Sequence, residues 1–327
     1  MNATLERFAG TQILIAGDVM LDEYVWGDVK RISQEAPVPV VEAKTRTYAP
    51  GGASNVATNV VSLSGRALLG GVVGEDESAN QLKRLLTEAS VDVSGLLPDS
   101  ARPTTTKTRI IAHSQQVVRV DSEHRAPLSD ALQTLLLEWM AAHLTNVGAC
   151  VVSDYSKGVF TPDFTQNFIQ KARQAGKPVI VDPKGTDYQK YRGATVIKPN
   201  IHELALAIGR DANDEDSLHA AARRLLEIVE GSALLVTRGS EGMLLFQQGK
   251  DCIEIPPIPR NVYDSTGAGD TVVSALALAL GSGADLETAA RLANHAASIV
   301  VGKLGTASVT REELSREKPE VRSQKSE

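Results

Sequence analysis

Cysteine is nearly absent: the 327-residue chain has two, Cys150 and Cys252. Two thiols cannot supply the disulfide framework of a small secreted fold. The six histidines show no metal-ligand spacing, so a zinc site is not supported either. Both cysteines sit in apolar, strand-like runs, residues 148–152 and 251–255, and are expected to be buried as small hydrophobic side chains. A basic excess is also missing. Lysine plus arginine number 34 against 40 acidic residues, a net charge of −6. That argues against a nucleic-acid-binding field and requires any anionic ligand to be held by local cations. No uncharged apolar stretch reaches the ~20 residues needed to span a bilayer, and residues 1–10 lack the apolar core of a signal peptide. A cytoplasmic location is the expectation, with neither membrane nor nucleic acid as partner. Two nucleotide-binding fingerprints are missing as well. The first strand is followed by Gly17-Asp18-Val19 rather than G-x-G-x-x-G, and G-x-x-x-x-G-K-[ST] does not occur.

What is present is an alternation of short apolar runs with helical spacing. Residues 12–16 (QILIA) read as a buried strand, and further strands are expected over 66–73, 149–152, 178–181, 195–197 and 233–237. Helices are expected over 52–64, 78–89, 128–144, 162–175, 202–208 and 218–229. Alternating strand and helix implies right-handed βαβ units, a mostly parallel sheet and helices on both faces. Two stretches break the rhythm. Residues 24–47 and 104–121 are rich in β-formers without helical period, and read as a small antiparallel sheet outside the main one. Such a sheet is a candidate lid or dimer surface, although two ordinary edge hairpins would read the same way. Residues 1–310 form one domain in this reading, and the polar residues 311–327 a frayed tail.

The strongest chemical signal is Asp264-Ser265-Thr266-Gly267-Ala268-Gly269-Asp270, directly ahead of an apolar helix at 271–280. Small residues before a helix leave backbone N–H groups bare, and the helix dipole adds positive potential, so Gly267, Ala268 and Gly269 make an anion site. Asp270 lies in the first helical turn beside that anion. A carboxylate there is awkward unless it has a task, and accepting a proton from a hydroxyl that attacks a phosphate fits. The plainer alternative is an aspartate that merely favours a helix N-terminus. A second signal is Gly51-Gly52-Ala53-Ser54-Asn55-Val56-Ala57. Its glycines permit close backbone approach, and Asn55, one turn on, can both donate to and accept from a polyol.

Together the two motifs resemble the signatures of the ribokinase-like (PfkB) carbohydrate kinases, and the resemblance covers nearly the whole chain. It implies a three-layer α/β/α sandwich with a small β-lid, use of ATP and Mg²⁺, and a homodimer formed through the lid. It also assigns roles. In Gly17-Asp18-Val19-Met20-Leu21-Asp22, Asp22 would bind sugar hydroxyls with Gly51, Gly52 and Asn55. In Lys198-Pro199-Asn200-Ile201-His202-Glu203, Lys198 would meet the nucleotide, while Asn200 and Glu203 organise its phosphates and Mg²⁺ through water. Thr237, Gly239 and Gly242 resemble the nucleotide-binding turn, Asn294 would flank adenine, and Asp264 and Thr266 with the loop 303–308 could hold a monovalent cation such as K⁺.

Within the family the chain looks most like the heptose-7-phosphate kinases of lipopolysaccharide core synthesis. The segments that carry this are residues 31–40 (RISQEAPVPV), 153–158 (SDYSKG), 182–185 (DPKG) and 302–306 (GKLGT). A phosphorylated sugar needs local cations. Lys157 and Lys184 follow strands, Arg109 lies on the expected lid, and these three are the candidates, with Asp154 beside them as a substrate contact. The chain stops soon after the kinase module, so the adenylyltransferase fused to it in bifunctional forms is expected to be absent. Two alternatives remain open: a ribokinase-like kinase for another sugar or sugar phosphate, and a non-catalytic relative that regulates or scaffolds.

Overall fold

The computed structural model describes residues 2–316 apart from 114, 213, 261 and 304–306. The chain opens with α1 (Asn2–Glu6), β1 (Gln12–Gly17), then two long strands, β2 (Val19–Ile32) and β3 (Pro39–Gly52). Next come α2 (Ala53–Ser62), β4 (Arg66–Val73), α3 (Glu77–Glu88) and β5 (Asp92–Pro98), then β6 (Thr106–Ala112) and β7 (Gln115–Ser122). The middle of the chain runs α4 (Asp130–His143), β8 (Ala149–Ser153), α5 (Pro162–Gln174), β9 (Val179–Asp182), β10 (Val196–Ile197), α6 (Ile201–Ile208) and α7 (Glu215–Ile228). It closes with β11 (Ala233–Thr237), β12 (Met243–Phe246), β13 (Ile253–Ile255), α8 (Ala268–Gly281), α9 (Leu286–Val300) and α10 (Arg311–Arg316).

Nine strands form the main sheet in the order β13-β12-β11-β10-β9-β8-β1-β4-β5. Its pairs are parallel from β5 to β11, and β12 and β13 add an antiparallel edge. Strand periodicity divides the core. On β1, Ile13 and Ile15 point to one face, where they pack with α2, α3, α8 and α9. Leu14 and Ala16 point to the other, with α4, α5, α6 and α7. Local sequence starts the helices on time: the side chains of Asp76, Ser129, Thr161 and Asp285 cap α3, α4, α5 and α9, and Pro162 occupies the first turn of α5. Strand β1 lies where the order reverses, with β4 and β5 on one side and β8 onward on the other. Open α/β sheets bind ligands at the carboxyl ends of the strands beside such a point.

The second sheet has the order β3-β2-β6-β7. The expected antiparallel sheet is mixed instead: β2 pairs antiparallel with β3 but parallel with β6. Both β2 and β6 leave the carboxyl edge of the main sheet in the same direction, β2 from β1 and β6 from β5, so they run side by side. The sequence reading did not single out β5, β12 and α9, and marked β13 only as the apolar, strand-like run 251–255 around Cys252. Strand β5 carries Gly95 and Pro98, and β12 holds only four residues; such short runs carry no decisive period. Cys150 is buried in β8, but Cys252 precedes β13 and is only partly buried. The stretch read as a tail begins with α10, whose Leu314 is buried in the core under α9 and α1. Residues 317–327 lie outside those described.

Candidate active site

The carboxyl ends of five neighbouring strands deliver polar side chains to one place: Asp18 after β1, Asp154 and Tyr155 after β8, Asp182 on β9, Lys198 after β10 and Thr237 on β11. Facing them is the N-terminus of α8. Gly267 caps that helix at φ 78, a left-handed conformation, and a Cβ there would come within 3.0 Å of the Asn55 amide. Gly52 caps α2 at φ 56, where a Cβ would strike the Asp18 carbonyl at 2.7 Å. The two glycine motifs of the sequence thus meet across one gap.

Asp270, in the first turn of α8, is 6% exposed. Its Oδ2 accepts from Asn55 Nδ2 at 2.6 Å and its Oδ1 from the Tyr155 hydroxyl at 2.8 Å. Burial, and then the Asp182 carboxylate, push its pKa up to about 6, against the pull of the Asn55 and Tyr155 hydrogen bonds and of Lys198. An acid poised near neutral pH suits proton transfer. Lys198 is buried and sits 2.9 Å from Asp182. Burial works to discharge it, but Asp182, Glu203 and Asp270 outweigh burial and hold it protonated. One cation therefore serves three carboxylates beside the helix N-terminus.

Two cavities meet at that N-terminus. A polar pocket of about 220 Å³ is lined by Asp182, Lys184, Lys198, Asn200, Glu203 and the Gly267–Asp270 turn. A largely apolar cleft of about 440 Å³ has Thr237, Gly239, Gly242, Val272, Asn294 and Ala297 in its wall. Gly269 borders both. The helix N-terminus thus stands between an apolar cleft and a polar pocket. Asn294 donates to the Pro256 carbonyl at 2.9 Å, which fixes one wall of the cleft.

Asn200 and Glu203 form a capping box on α6: Glu203 N–H donates to Asn200 Oδ1 at 2.8 Å, and Asn200 N–H to Glu203 Oε2 at 3.0 Å. Glu203 Oε1 accepts from Lys184 at 3.0 Å. No group of three or more acidic, histidine or cysteine side chains capable of holding a metal occurs among the described residues. The pocket nevertheless fits Mg²⁺, which keeps several waters and needs one or two carboxylates with phosphate oxygens; Asp182 and Glu203 both line it.

The sequence reading grouped Lys157, Lys184 and Arg109 around one phosphate; in the structure each pairs with a different acidic residue. Lys184 stands with Glu203 in the polar pocket. Lys157 pairs with Glu123 at 2.5 Å, beyond the end of β7, and Lys107 reaches the same glutamate. Arg109, on β6, pairs with Asp22 of β2 at 2.6 Å and lies over the Tyr24 ring. Asp22 is buried, with the Gly51 backbone beside its carboxylate. Asn55, assigned to the polyol, is tied to Asp270 and Asn59. Asp154 is spent on Lys190 at 2.6 Å, the Tyr191 hydroxyl and the Ser156 amide. Thr266 N–H donates to Asp264 Oδ1 at 2.8 Å, an Asx turn; residues 304–306 of the suggested cation loop lie outside those described. Asp18, Tyr155, Asp182, Lys190 and Glu123 were missed as site residues. Tyr155 and Asp182 stood inside the quoted SDYSKG and DPKG segments, and an acid directly after the first strand was the signal for Asp18.

Comparison with known proteins bears on the fold and the family. The profile of the pfkB family of carbohydrate kinases matches residues 11–313. The bifunctional protein HldE of Granulibacter bethesdensis is 46% identical over 316 residues, 95% of this chain and 65% of its own length. That of Geobacter sulfurreducens is 44% identical over 92% of this chain and 61% of its own. The chain thus spans less than two thirds of the length of these relatives. Among solved structures, Arabidopsis thaliana ribokinase complexed with ribose and ATP superposes with a TM-score of 0.73 at 22% identity, covering 94% of this chain and 98% of that one. Escherichia coli phosphofructokinase-2 in complex with potassium does so with a TM-score of 0.78 at 21%, covering 94% and 97%. These likenesses carry the fold, and the profile, running through both glycine motifs, carries the family: the chain belongs to the pfkB carbohydrate kinases.

Proposed function

We propose that the chain transfers the γ-phosphoryl group of ATP to O1 of D-glycero-D-manno-heptose 7-phosphate, giving the 1,7-bisphosphate for ADP-heptose and lipopolysaccharide core synthesis. The observation that carries a kinase reaction is Asp270: a buried carboxylate with pKa about 6, one turn inside a helix whose bare N-terminus opens onto both cavities. The heptose phosphate is supported by the RISQEAPVPV, SDYSKG and DPKG segments and by relatives at 43–46% identity called bifunctional protein HldE.

In this reading the sugar lies between Asp22 and Asp270, and the second sheet acts as its lid. Asp270 takes the O1 proton as O1 forms its bond to the γ-phosphorus. The bond from that phosphorus to the bridging oxygen breaks, ADP leaves, and Asp270 later returns the proton to water. The N–H groups of Gly267, Ala268 and Gly269 face the charge that builds on the transferred group. Asn200, Glu203 and Asp182 would hold Mg²⁺, which when bound neutralises charge on the phosphates. Lys184 joins this nucleotide end; Lys157 and Arg109 serve the 7-phosphate from the lid side. Asp264 and Thr266 are the K⁺ candidates. Exposed Trp26, Ile32, Val118 and Val120 on the second sheet favour a lid-to-lid homodimer. No helix among the described residues is long and apolar enough to cross a membrane; a kinase drawing on ATP fits the cytoplasm.

The test is steady-state turnover with heptose 7-phosphate beside unphosphorylated heptose, ribose and fructose 6-phosphate. The reading expects kcat/KM highest for the heptose phosphate. Preference for a neutral sugar would leave the kinase in place and remove the 7-phosphate subsite.

A further inference from the structure

We propose that Tyr155 is a positioning residue for the base: its hydroxyl, carried on a turn that Asp18 anchors, fixes the orientation and charge of the Asp270 carboxylate. The inference rests on the proposed role of Asp270.

Tyr155 and Asp270 are 115 residues apart, yet the phenol donates to Oδ1 at 2.8 Å while Asn55 holds Oδ2 at 2.6 Å. With one donor on each oxygen the carboxylate cannot rotate. Each oxygen keeps a lone pair, so a substrate hydroxyl can still be accepted. The donor is permanent. Burial, then the carboxylates of Asp270, Asp182 and Glu203, keep the Tyr155 phenol protonated far above its usual range. Tyr155 therefore does not compete for the proton in flight.

The turn beneath it is over-determined. Asp18 Oδ2 accepts from the N–H groups of Tyr155 at 2.7 Å and Lys157 at 3.1 Å. Asp154 Oδ1 accepts from Ser156 N–H at 2.7 Å, and Ser156 is held at φ 57, a left-handed conformation rare for serine. Asp18 is itself 2% exposed, its Oδ1 finds no hydrogen-bond partner among the described residues, and it lies near Asp154. Burial, then Asp154, push its pKa up to about 6. A carboxylate kept there at such expense holds the turn, and the turn aims Tyr155.

The charged and titratable groups facing Asp270 are Asp182 from β9, Lys198 from the end of β10 and Tyr155 from the end of β8, with Glu203 of α6 behind them. Removing the phenol leaves burial and Asp182 opposed only by the Asn55 hydrogen bond and Lys198, so protonated Asp270 gains ground. Tyr155→Phe deletes only the oxygen. Loss of one hydrogen bond to a charged group, about 1.5 kcal/mol, should lower kcat about tenfold and move the acid limb of kcat/KM up by about one pH unit. KM for sugar and ATP should stay within about twofold. A merely structural tyrosine would lower the melting temperature and scale the rate equally at every pH. An unmoved acid limb with near-wild-type kcat overturns the proposal. Asp270→Asn in parallel separates the two ideas: if that variant keeps its rate, the base itself is wrong; if it is inactive while Tyr155→Phe is unchanged, only Tyr155 is.

Discussion

Replacing Asp270 by asparagine should remove activity and, at neutral pH, make the folded chain more stable. The stability follows from the carboxyl's displacement from 3.8 to about 6 by burial and Asp182. Below pH 3.8 the group is protonated in both folded and unfolded chains and costs nothing. Between there and pH 6 the unfolded chain ionises first, so stability falls as pH rises. Above pH 6 both are ionised, and the penalty levels off at about 3 kcal/mol, using about 1.4 kcal/mol per pKa unit. An asparagine is neutral throughout. Its oxygen can accept from Asn55 and its amide can donate to the Tyr155 oxygen, so neither neighbour is orphaned. The expected gain is about 3 kcal/mol near pH 7.5 and about 1 kcal/mol near pH 4.5. For a chain of 327 residues the larger figure is about 4 °C in melting temperature. Denaturant and thermal unfolding of wild type and variant at the two pH values measure the difference, and other titrating groups such as Asp18 cancel in it. A variant no more stable than wild type near pH 7.5, or a gain equal at both pH values, would refute the electrostatic argument. Its kcat should fall roughly 10²–10⁴-fold, the scale of a lost general base.

Lys198→Met should cost about 3–5 kcal/mol, because Asp182 and Asp270 would stay buried without their cation; chemical denaturation measures it, and adding Asp182→Asn should recover much of the loss. Gly267→Ala should lower kcat with a small stability cost of about 1–2 kcal/mol, since φ 78 strains an L-residue and the new methyl presses on the Asn55 amide; unchanged kcat would show that the α8 entrance tolerates movement. Arg109→Ala and Lys157→Ala should raise KM for the phosphorylated sugar about tenfold or more and leave KM for ATP alone, whereas Lys184→Ala should act on the ATP side. The reverse pattern in steady-state kinetics would exchange the two assignments.

The alternation of elements was legible because β1, β4, β8 and β11 each hold a continuous apolar run of four or more residues between segments of helical spacing. The edge strand β12 was not, because its four residues are followed by another strand rather than a helix and so fall outside the alternation. The α8 motif was legible because glycines and small residues bare the backbone ahead of a mostly apolar helix, and an aspartate set in that first turn needs a partner to offset its charge. The second sheet was seen but its pairing was not, since the direction of β6 beside β2 depends on where β5 leaves the main sheet. The basic residues were the hardest. Sequence gives a lysine after β8 and another after β9 the same appearance. Only the fold shows that one reaches Glu123 and the other Glu203. The hydrogen bond from the Asn55 amide to Asp270 could not be read either, because it exists only once α2 and α8 are brought together.

The most direct test of the central claim is phosphorus NMR of the purified chain with ATP, Mg²⁺ and D-glycero-D-manno-heptose 7-phosphate. The account expects a second sugar phosphate resonance, coupled to the anomeric proton, to grow in step with ADP, and expects it to be absent with the Asp270→Asn variant. ATP consumed without an anomeric phosphate, or the same product formed at an undiminished rate by the variant, would contradict it.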